Sequence, residues 1–271
     1  MTIITEPGFY NLAAADYHAD PIEGGSLSQS RAKVLLEEAG PARFKANHRE
    51  QKTAWNIGTA AHAYVLGEGL ERIVLIDAEN YYSKAAKAAR DDAYAKGMTP
   101  IITPEHEQAM AMADALKGHP LAVETLTGLH ERSAFIKRGS LWLRGMIDTY
   151  APGSHIADYK TTFDASSRGV ISSVWKFRYH MQAAWYRELV KELTGESLPV
   201  RFVFQEKKPP YLVSVWEATD DYLELGRADM EDAIAIYLDC KTRGEWPGYP
   251  SEIQQLTPPD WAFDDDIEIE D

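Results

Sequence analysis

Residues 141 to 162 read Leu-Trp-Leu-Arg-Gly-Met-Ile-Asp-Thr-Tyr-Ala-Pro-Gly-Ser-His-Ile-Ala-Asp-Tyr-Lys-Thr-Thr. This stretch is two strands and a turn. Trp142 to Tyr150 is rich in β-branched and aromatic residues, and Pro152-Gly153 breaks it. His155 to Thr161 is the second strand. Side chains two apart on a strand share a face, so Asp158 and Lys160 stand side by side. Asp148, on the partner strand, can sit opposite them. Two carboxylates and an ammonium then converge at one edge of a sheet. Paired carboxylates hold hard divalent cations such as Mg²⁺ through oxygen. A metal held there polarises a phosphoryl oxygen and acidifies a bound water. A neighbouring lysine can orient that water or stabilise charge on phosphorus. Asp-x-Lys is also common as a plain surface ion pair, so its meaning depends on the rest of the chain.

The 271 residues are 45% hydrophobic and 26% charged. That suffices for one large domain, or for one domain with a subdomain. The single cysteine, Cys240, excludes an internal disulfide and a cysteine-ligated zinc or iron–sulfur site. It points to a reducing compartment. No basic segment followed by an apolar core opens the chain, so no signal peptide is expected. No apolar run approaches about 18 residues, so neither a membrane span nor a membrane partner is expected. The net charge of −14 argues against a partner as acidic as DNA. Seven of those negative charges lie in Asp260–Asp271, an acidic run expected to be a disordered tail. Basic residues gather elsewhere: Arg31, Lys33, Arg43, Lys45, Arg49 and Lys52 early, and Arg168, Lys176 and Arg178 after the hairpin. A local basic channel in an acidic protein remains compatible with DNA.

Residues 1–25 carry Pro7-Gly8, Pro21 and Gly24-Gly25 and read as irregular. Arg31 to Ala39 reads as a helix capped by Ser28 or Ser30 and closed by Gly40-Pro41. Thr53 to Leu66 is a helix of small residues stopped by Gly67. Gly58 and His62 share a face on it. A histidine there is either a packed core residue or an imidazole that supplements carboxylates around a cation. Arg72 to Ile76 is a strand candidate. Ser83 to Ala95 and Glu105 to Lys117 are helices separated by Pro100 and Pro104. His106 and His119 have no partner at ligand spacing and read as solvated or capping residues. Glu131 to Lys137 is a strand that leads through Arg138-Gly139-Ser140 into the hairpin. Glu131 is either a further site carboxylate or a solvated strand end.

Val170 to Leu193 reads as one long helix closed by Gly195. Arg178, Gln182 and Tyr186 recur every four residues on one face of it. Val200 to Gln205 and Tyr211 to Glu217 read as a hairpin. Thr219 or Asp220 caps a last helix, Tyr222 to Arg243, that Gly244 ends. No repeat, phosphate-binding Gly-x-x-x-x-Gly-Lys loop or Gly-x-Ser-x-Gly elbow is present.

Four signals therefore follow in order: Gly58-Thr59-Ala60-Ala61-His62, Gly145-Met146-Ile147-Asp148, Asp158-Tyr159-Lys160 and Gln182-Ala183-Ala184-Trp185-Tyr186. Together they resemble the PD-(D/E)XK nuclease superfamily, its RecB-like branch, and within it the phage-type RecE (exonuclease VIII) nuclease domain. Ser26-Leu27-Ser28-Gln29-Ser30 with Gly40-Pro41-Ala42-Arg43-Phe44 is similar to the start of that domain. The likeness covers roughly residues 26 to 240.

The resemblance implies an α/β (α+β) fold with a PD-(D/E)XK restriction-endonuclease-like core. A central mixed sheet is flanked by helices, with a helical N-terminal region. The domain plan is 1–25 irregular, 26–250 one nuclease domain, and 251–271 an acidic tail. The implied activity is 5′→3′ exonuclease digestion of linear double-stranded DNA, leaving 3′ single strands for recombination. Mg²⁺ is the implied cofactor, and Mn²⁺ is expected to substitute. Asp148, Asp158 and His62 would hold the metal, with the Tyr159 carbonyl as a further ligand. Lys160 would position or activate the attacking water. Gln182 and Tyr186 would organise the site and contact the DNA backbone, with Arg178 extending that face. A ring-like homo-oligomer, double-stranded DNA ends, a single-strand annealing protein and the cytoplasm, that of a bacterial host if phage-encoded, are the implied partners and location. Many members of the superfamily have Glu at the second acid, where this chain has Asp158. A structure-specific or nicking endonuclease and a degenerate DNA-binding or assembly protein are the competing readings. Lys160 and Asp148 are both expected at an edge that faces solvent and metal.

Overall fold

A computed structural model describes residues 3–46 and 56–259. In chain order its elements are β1 (Gly8–Tyr10), α1 (Ala14–His18), β2 (Leu27–Ser28), α2 (Gln29–Leu35), α3 (Gly40–Ala46), α4 (Asn56–Leu66), β3 (Ile73–Ile76) and α5 (Lys84–Ala95). Next come β4 (Thr99–Ile102), α6 (Thr103–Lys117), α7 (Pro120–Thr125), β5 (Leu129–Arg138), β6 (Leu141–Ala151) and β7 (His155–Thr162). The chain continues with α8 (Ser167–Lys176), α9 (Tyr179–Thr194), β8 (Val200–Glu206), β9 (Val213–Glu217) and α10 (Asp220–Arg243).

A seven-stranded mixed sheet runs β1-β5-β6-β7-β8-β9, with β2 added alongside β6. β7 and β8 are parallel, as their connection through α8 and α9 requires. β2 also runs parallel to β6, and the remaining pairs in this sheet are antiparallel. Helices cover both faces. On one, Ile136, Leu143, Ile156 and Phe202 pack with Met181, Trp185 and Leu189 of α9 and Met230 and Tyr237 of α10. On the other, Ala157, Tyr159 and Val203 pack with Ile57 and Ala60 of α4, Met112 and Leu116 of α6 and Ala122 of α7. Strand residues therefore go alternately to two cores, Ile156 and Phe202 to the first and Ala157 and Val203 to the second.

Several elements differ from the sequence expectation. The N-terminal segment, expected to be irregular, contributes β1 to the sheet, paired to β5 at Gly8↔Phe135. Thr99–Ile102, read as a break at Pro100, is a strand of a separate two-stranded parallel sheet with β3. Proline is tolerated in so small a sheet, where each strand is an edge, while Ile101 is fully buried. The single helix expected over Val170 to Leu193 is two, α8 and α9. Arg178 between them takes a left-handed conformation, φ 53°. Ser28 stands at the start of α2 without capping it, and its hydroxyl meets Ser30 instead. His119 does cap α7, and His106 accepts or donates to the Tyr64 hydroxyl. Arg49, Lys52, Thr53–Trp55 and the Asp260–Asp271 acidic run lie outside the described residues. Trp246 folds back and stacks on Phe44 at 5.3 Å.

Candidate active site

The site lies where the sheet forks. β6 is paired along its length with β5, but its other edge is shared. β2 takes Leu143 and Arg144, and β7 takes Thr149, Tyr150 and Ala151. The β6–β7 ladder ends at Thr149↔Ala157. One step further Asp148 and Asp158 would face each other. There the Asp148 carboxylate accepts the Tyr159 N–H at 3.0 Å and takes the place of a ladder bond. Trp185 of α9 closes the fork from below by donating its indole N–H to the Arg144 carbonyl.

The strand pattern shifts phase at the same point. Ile147 and Tyr150 are three apart, yet both join the α9-side core, which strict alternation forbids. Opposite Asp148 in the β5–β6 register stands Glu131, with φ 51°. A left-handed glutamate inside a strand is a strained conformation of the kind found at functional sites. The kink brings a third acid to the fork. His62 Nε2 on α4 is 2.9 Å from Asp148 Oδ2, and its Nδ1 is 3.4 Å from Glu131 Oε1. Gly58 lets α4 lie close: a Cβ there would meet Thr161 Oγ1 at 3.1 Å.

The electrostatics are those of a crowded acid cluster. Burial and then Asp148 push Glu131 up to about 7, with His62 offsetting part of this. Burial works to lower His62, but Asp148, Glu131 and Asp158 raise it to about 9. Burial also works to raise Asp148, but the His62 charge, Lys160 and the Tyr159 N–H outweigh it and hold Asp148 low. Asp158 is pushed up by burial and by Asp148, against Lys160.

Asp158 and Lys160 are side by side, Nζ 2.5 Å from Oδ2. Asp158 is buried, whereas Lys160 and Asp148, expected at an edge that faces solvent, are both partly exposed. Lys160 is held protonated: burial works against its charge, and Asp158, Tyr179 and Asp148 outweigh it. Its Nζ also lies 4.7 Å from the Tyr179 ring. Gln182 donates to Asp158 Oδ1 at 2.7 Å and to the Tyr186 hydroxyl at 3.1 Å. Both residues are buried and stand behind Asp158, as residues that organise the site would. Gly145 makes this possible, because a Cβ there would strike Leu189 Cδ1 at 2.6 Å and Tyr186 Cε1 at 3.0 Å. Arg178 does not join the site. Its guanidinium pairs with Asp229 of α10 at 2.5 Å, beside His180.

Two residues near the site carry little signal in the sequence. Glu131 is compatible there with a site carboxylate or a solvated strand end, since its place depends on a backbone kink. Lys33 of α2, read only as one of several basic residues, is held below the usual lysine range by burial and then by the nearby Lys160 charge.

The donor set fits a hard divalent cation. Ligand atoms of His62, Glu131 and Asp148 lie within 4.8 Å of one another. Asp158 Oδ2 is buried, and among the described residues its partner is the Lys160 ammonium beside it. Buried acids that repel one another and hold protons instead are what a cation would neutralise. Asp158 faces Lys160 and Gln182, and the three mutually close ligand groups include Glu131 in its place.

A mixed sheet between helices, with acids and a lysine gathered where two central strands diverge, defines the PD-(D/E)XK class of nuclease fold. The chain belongs to the family described as a PDDEXK-like domain of unknown function (DUF3799), whose model matches residues 26–257. Among solved structures, a protein from Eubacterium rectale described as "Putative exonuclease" aligns with a TM-score of 0.67 at 16% identity. The alignment covers 95% of this chain and 100% of that one, and it shows a shared fold. SSO0001 aligns over 71% of this chain and 92% of its own, at 14% identity and a TM-score of 0.30, too low to carry an argument. No curated protein matches the sequence. No helix among the described residues is long and apolar enough to cross a membrane.

Proposed function

We propose that the chain is a divalent-metal-dependent deoxyribonuclease. In this reading it digests linear double-stranded DNA 5′→3′ and leaves 3′ single strands for phage-type recombination. The observation that carries it is the meeting of Glu131, Asp148 and His62 with the Asp158–Lys160 pair at the fork of the sheet. Asp148, Asp158, His62 and Glu131 would hold Mg²⁺, or Mn²⁺ in its place, with the Tyr159 carbonyl as a further oxygen. The metal would supply Lewis acidity toward a phosphoryl oxygen and an acidified water. Lys160, whose Nζ lies beside Asp158, would position or activate the attacking water or donate to a phosphate oxygen. Gln182 fixes the Asp158 carboxylate, and Tyr186 fixes Gln182.

The RecE-like motif order and the exonuclease description of the Eubacterium rectale protein support digestion from an end. A ring-like homo-oligomer, an annealing partner and a cytoplasmic setting belong to the same proposal, and a solution mass measurement reads the first. The deciding experiment incubates a 5′-labelled linear duplex and its closed circular form with Mg²⁺. Release of label from the linear form alone supports the proposal. Nicking of the circle favours an endonuclease on this fold. Binding without hydrolysis of either favours a degenerate DNA-binding protein.

A further inference from the structure

Two openings meet at His62 and Thr59, and their charges are opposite. One, a cavity of about 660 Å³, includes Glu68, Glu71 and Glu131 against Arg72. The other, a groove of about 980 Å³, includes Arg168, Lys176 and Lys207 against Asp164. Among the described residues none of these three cations forms an ion pair, and the Asp164 carboxylate accepts the Ser166 N–H. A phosphate backbone is repelled from the first opening and attracted into the second.

The basic groove also presents aromatic faces. Phe163, three residues past Lys160, is 77% exposed, and Lys207 Nζ lies 4.8 Å from its ring centroid. Phe177 is 43% exposed and stacks on Tyr179 at 5.6 Å, and Tyr179 in turn lies against Lys160. One exposed phenylalanine means little by itself. Here two exposed rings and three cations line one groove that reaches His62, the partner of Asp148. A duplex keeps its base faces inside its own stack and would leave Phe163 in water. An unpaired base covers such a ring while cations follow its phosphates.

Building on the nuclease reading, we propose that the groove from Phe163 to His62 takes DNA as an unpaired strand, with Phe163 and Lys207 forming a platform on which one base stacks next to the scissile phosphate. The strand to be cut then reaches Lys160 already separated from its complement. Phe163 would set the preference for frayed or single-stranded ends.

The test is a titration of the full chain, with Ca²⁺ in place of Mg²⁺, against an oligonucleotide carrying 2-aminopurine and against the same sequence as a blunt duplex. The expected result is quenching of the single strand's fluorescence, tighter binding of the single strand than of the duplex, and roughly tenfold weaker single-strand binding by Phe163→Ala, restored by Phe163→Trp. Lys207→Ala should weaken binding and flatten its salt dependence. The exposure of Phe163 makes misfolding of its variants a minor concern, and an unchanged melting temperature checks it. Single-strand affinity within twofold of wild type in Phe163→Ala, or a duplex bound more tightly with an equal loss, overturns the proposal. Hydrolysis is scored separately: a wild type that cuts nothing with Mg²⁺ sinks the nuclease reading, while the titration still decides the platform.

Discussion

Gln182 Nε2 donates to Asp158 Oδ1 at 2.7 Å, and this bond fixes a fully buried carboxylate beside the Lys160 ammonium. Gln182→Ala leaves that oxygen unsatisfied in the interior. The expected cost is about 1–3 kcal/mol of stability. Loss of such outer support typically lowers metal affinity or activity about 10–100-fold. Thermal melts and metal titrations of hydrolysis check both. Tyr186→Phe removes only the partner of Gln182 and should cost less than Gln182→Ala. A larger loss from Tyr186→Phe would contradict this order of support.

Gly145→Ala tests the packing that seats this pair. The added methyl meets Leu189 and Tyr186 inside contact distance, in a core where neither can leave without opening a void. Overpacking of this kind costs about 1–3 kcal/mol. Because Tyr186 is displaced toward Gln182, activity should fall with stability. Gly139→Ala is the comparison: a Cβ there meets nothing within 4 Å, though φ 62° adds strain, so stability alone should fall.

Removing divalent ions should make stability strongly dependent on pH. Glu131 at about 7 and His62 at about 9 both stand above their unfolded values, and Asp158 is raised as well. A raised group contributes stability at low pH that is lost as pH rises through its folded value. All three act in the same direction. In EDTA the melting temperature should fall between about pH 5 and 9, and the rise on adding Mn²⁺ or Mg²⁺ should grow over that range. Asp148, held low, opposes this only in strong acid. A metal-induced shift that is independent of pH, or largest at pH 5, would contradict the assignment of these acids to a cation.

Glu131→Gln removes one of the repelling charges. The metal-dependent form should need about tenfold more Mg²⁺ for half-maximal activity, while the metal-free form should melt higher at pH 8. Reading both from one variant separates a ligand from a solvated strand end. An unchanged Mg²⁺ requirement would return Glu131 to the second role.

Parts of this arrangement are legible in the sequence because local chemistry is strong there. Pro152-Gly153 between two β-rich runs can only be a hairpin, and period-2 spacing puts Asp158 beside Lys160 without further information. Thr219 and Gly244 mark the ends of α10. Other parts depend on distant partners. Thr99–Ile102 is a strand because Ile73–Ile76 pairs with it, in spite of Pro100. The break between α8 and α9 carries neither Gly nor Pro, and its Arg178 is tied to Asp229, 51 residues away. Depth is also hidden. Neither Asp158 nor Gln182 announces its burial in the sequence, yet both are buried because α9 lies directly on the fork. The place of Glu131 needs a left-handed backbone that no residue type announces.

The central claim is that the acids at the fork hold the cation that phosphodiester hydrolysis needs, with Asp148 at their centre. Asp148→Asn keeps the shape while removing the charge that binds His62 and faces Glu131. The most direct measurement is Mg²⁺-dependent release of label from a 5′-labelled linear duplex by wild type and by Asp148→Asn, each shown by its melt to be folded. The account predicts release by the wild type that stops in EDTA, and a loss of at least about a thousandfold in the variant (some 4 kcal/mol of transition-state stabilisation) at saturating Mg²⁺. Near-normal release by a folded Asp148→Asn protein would contradict it.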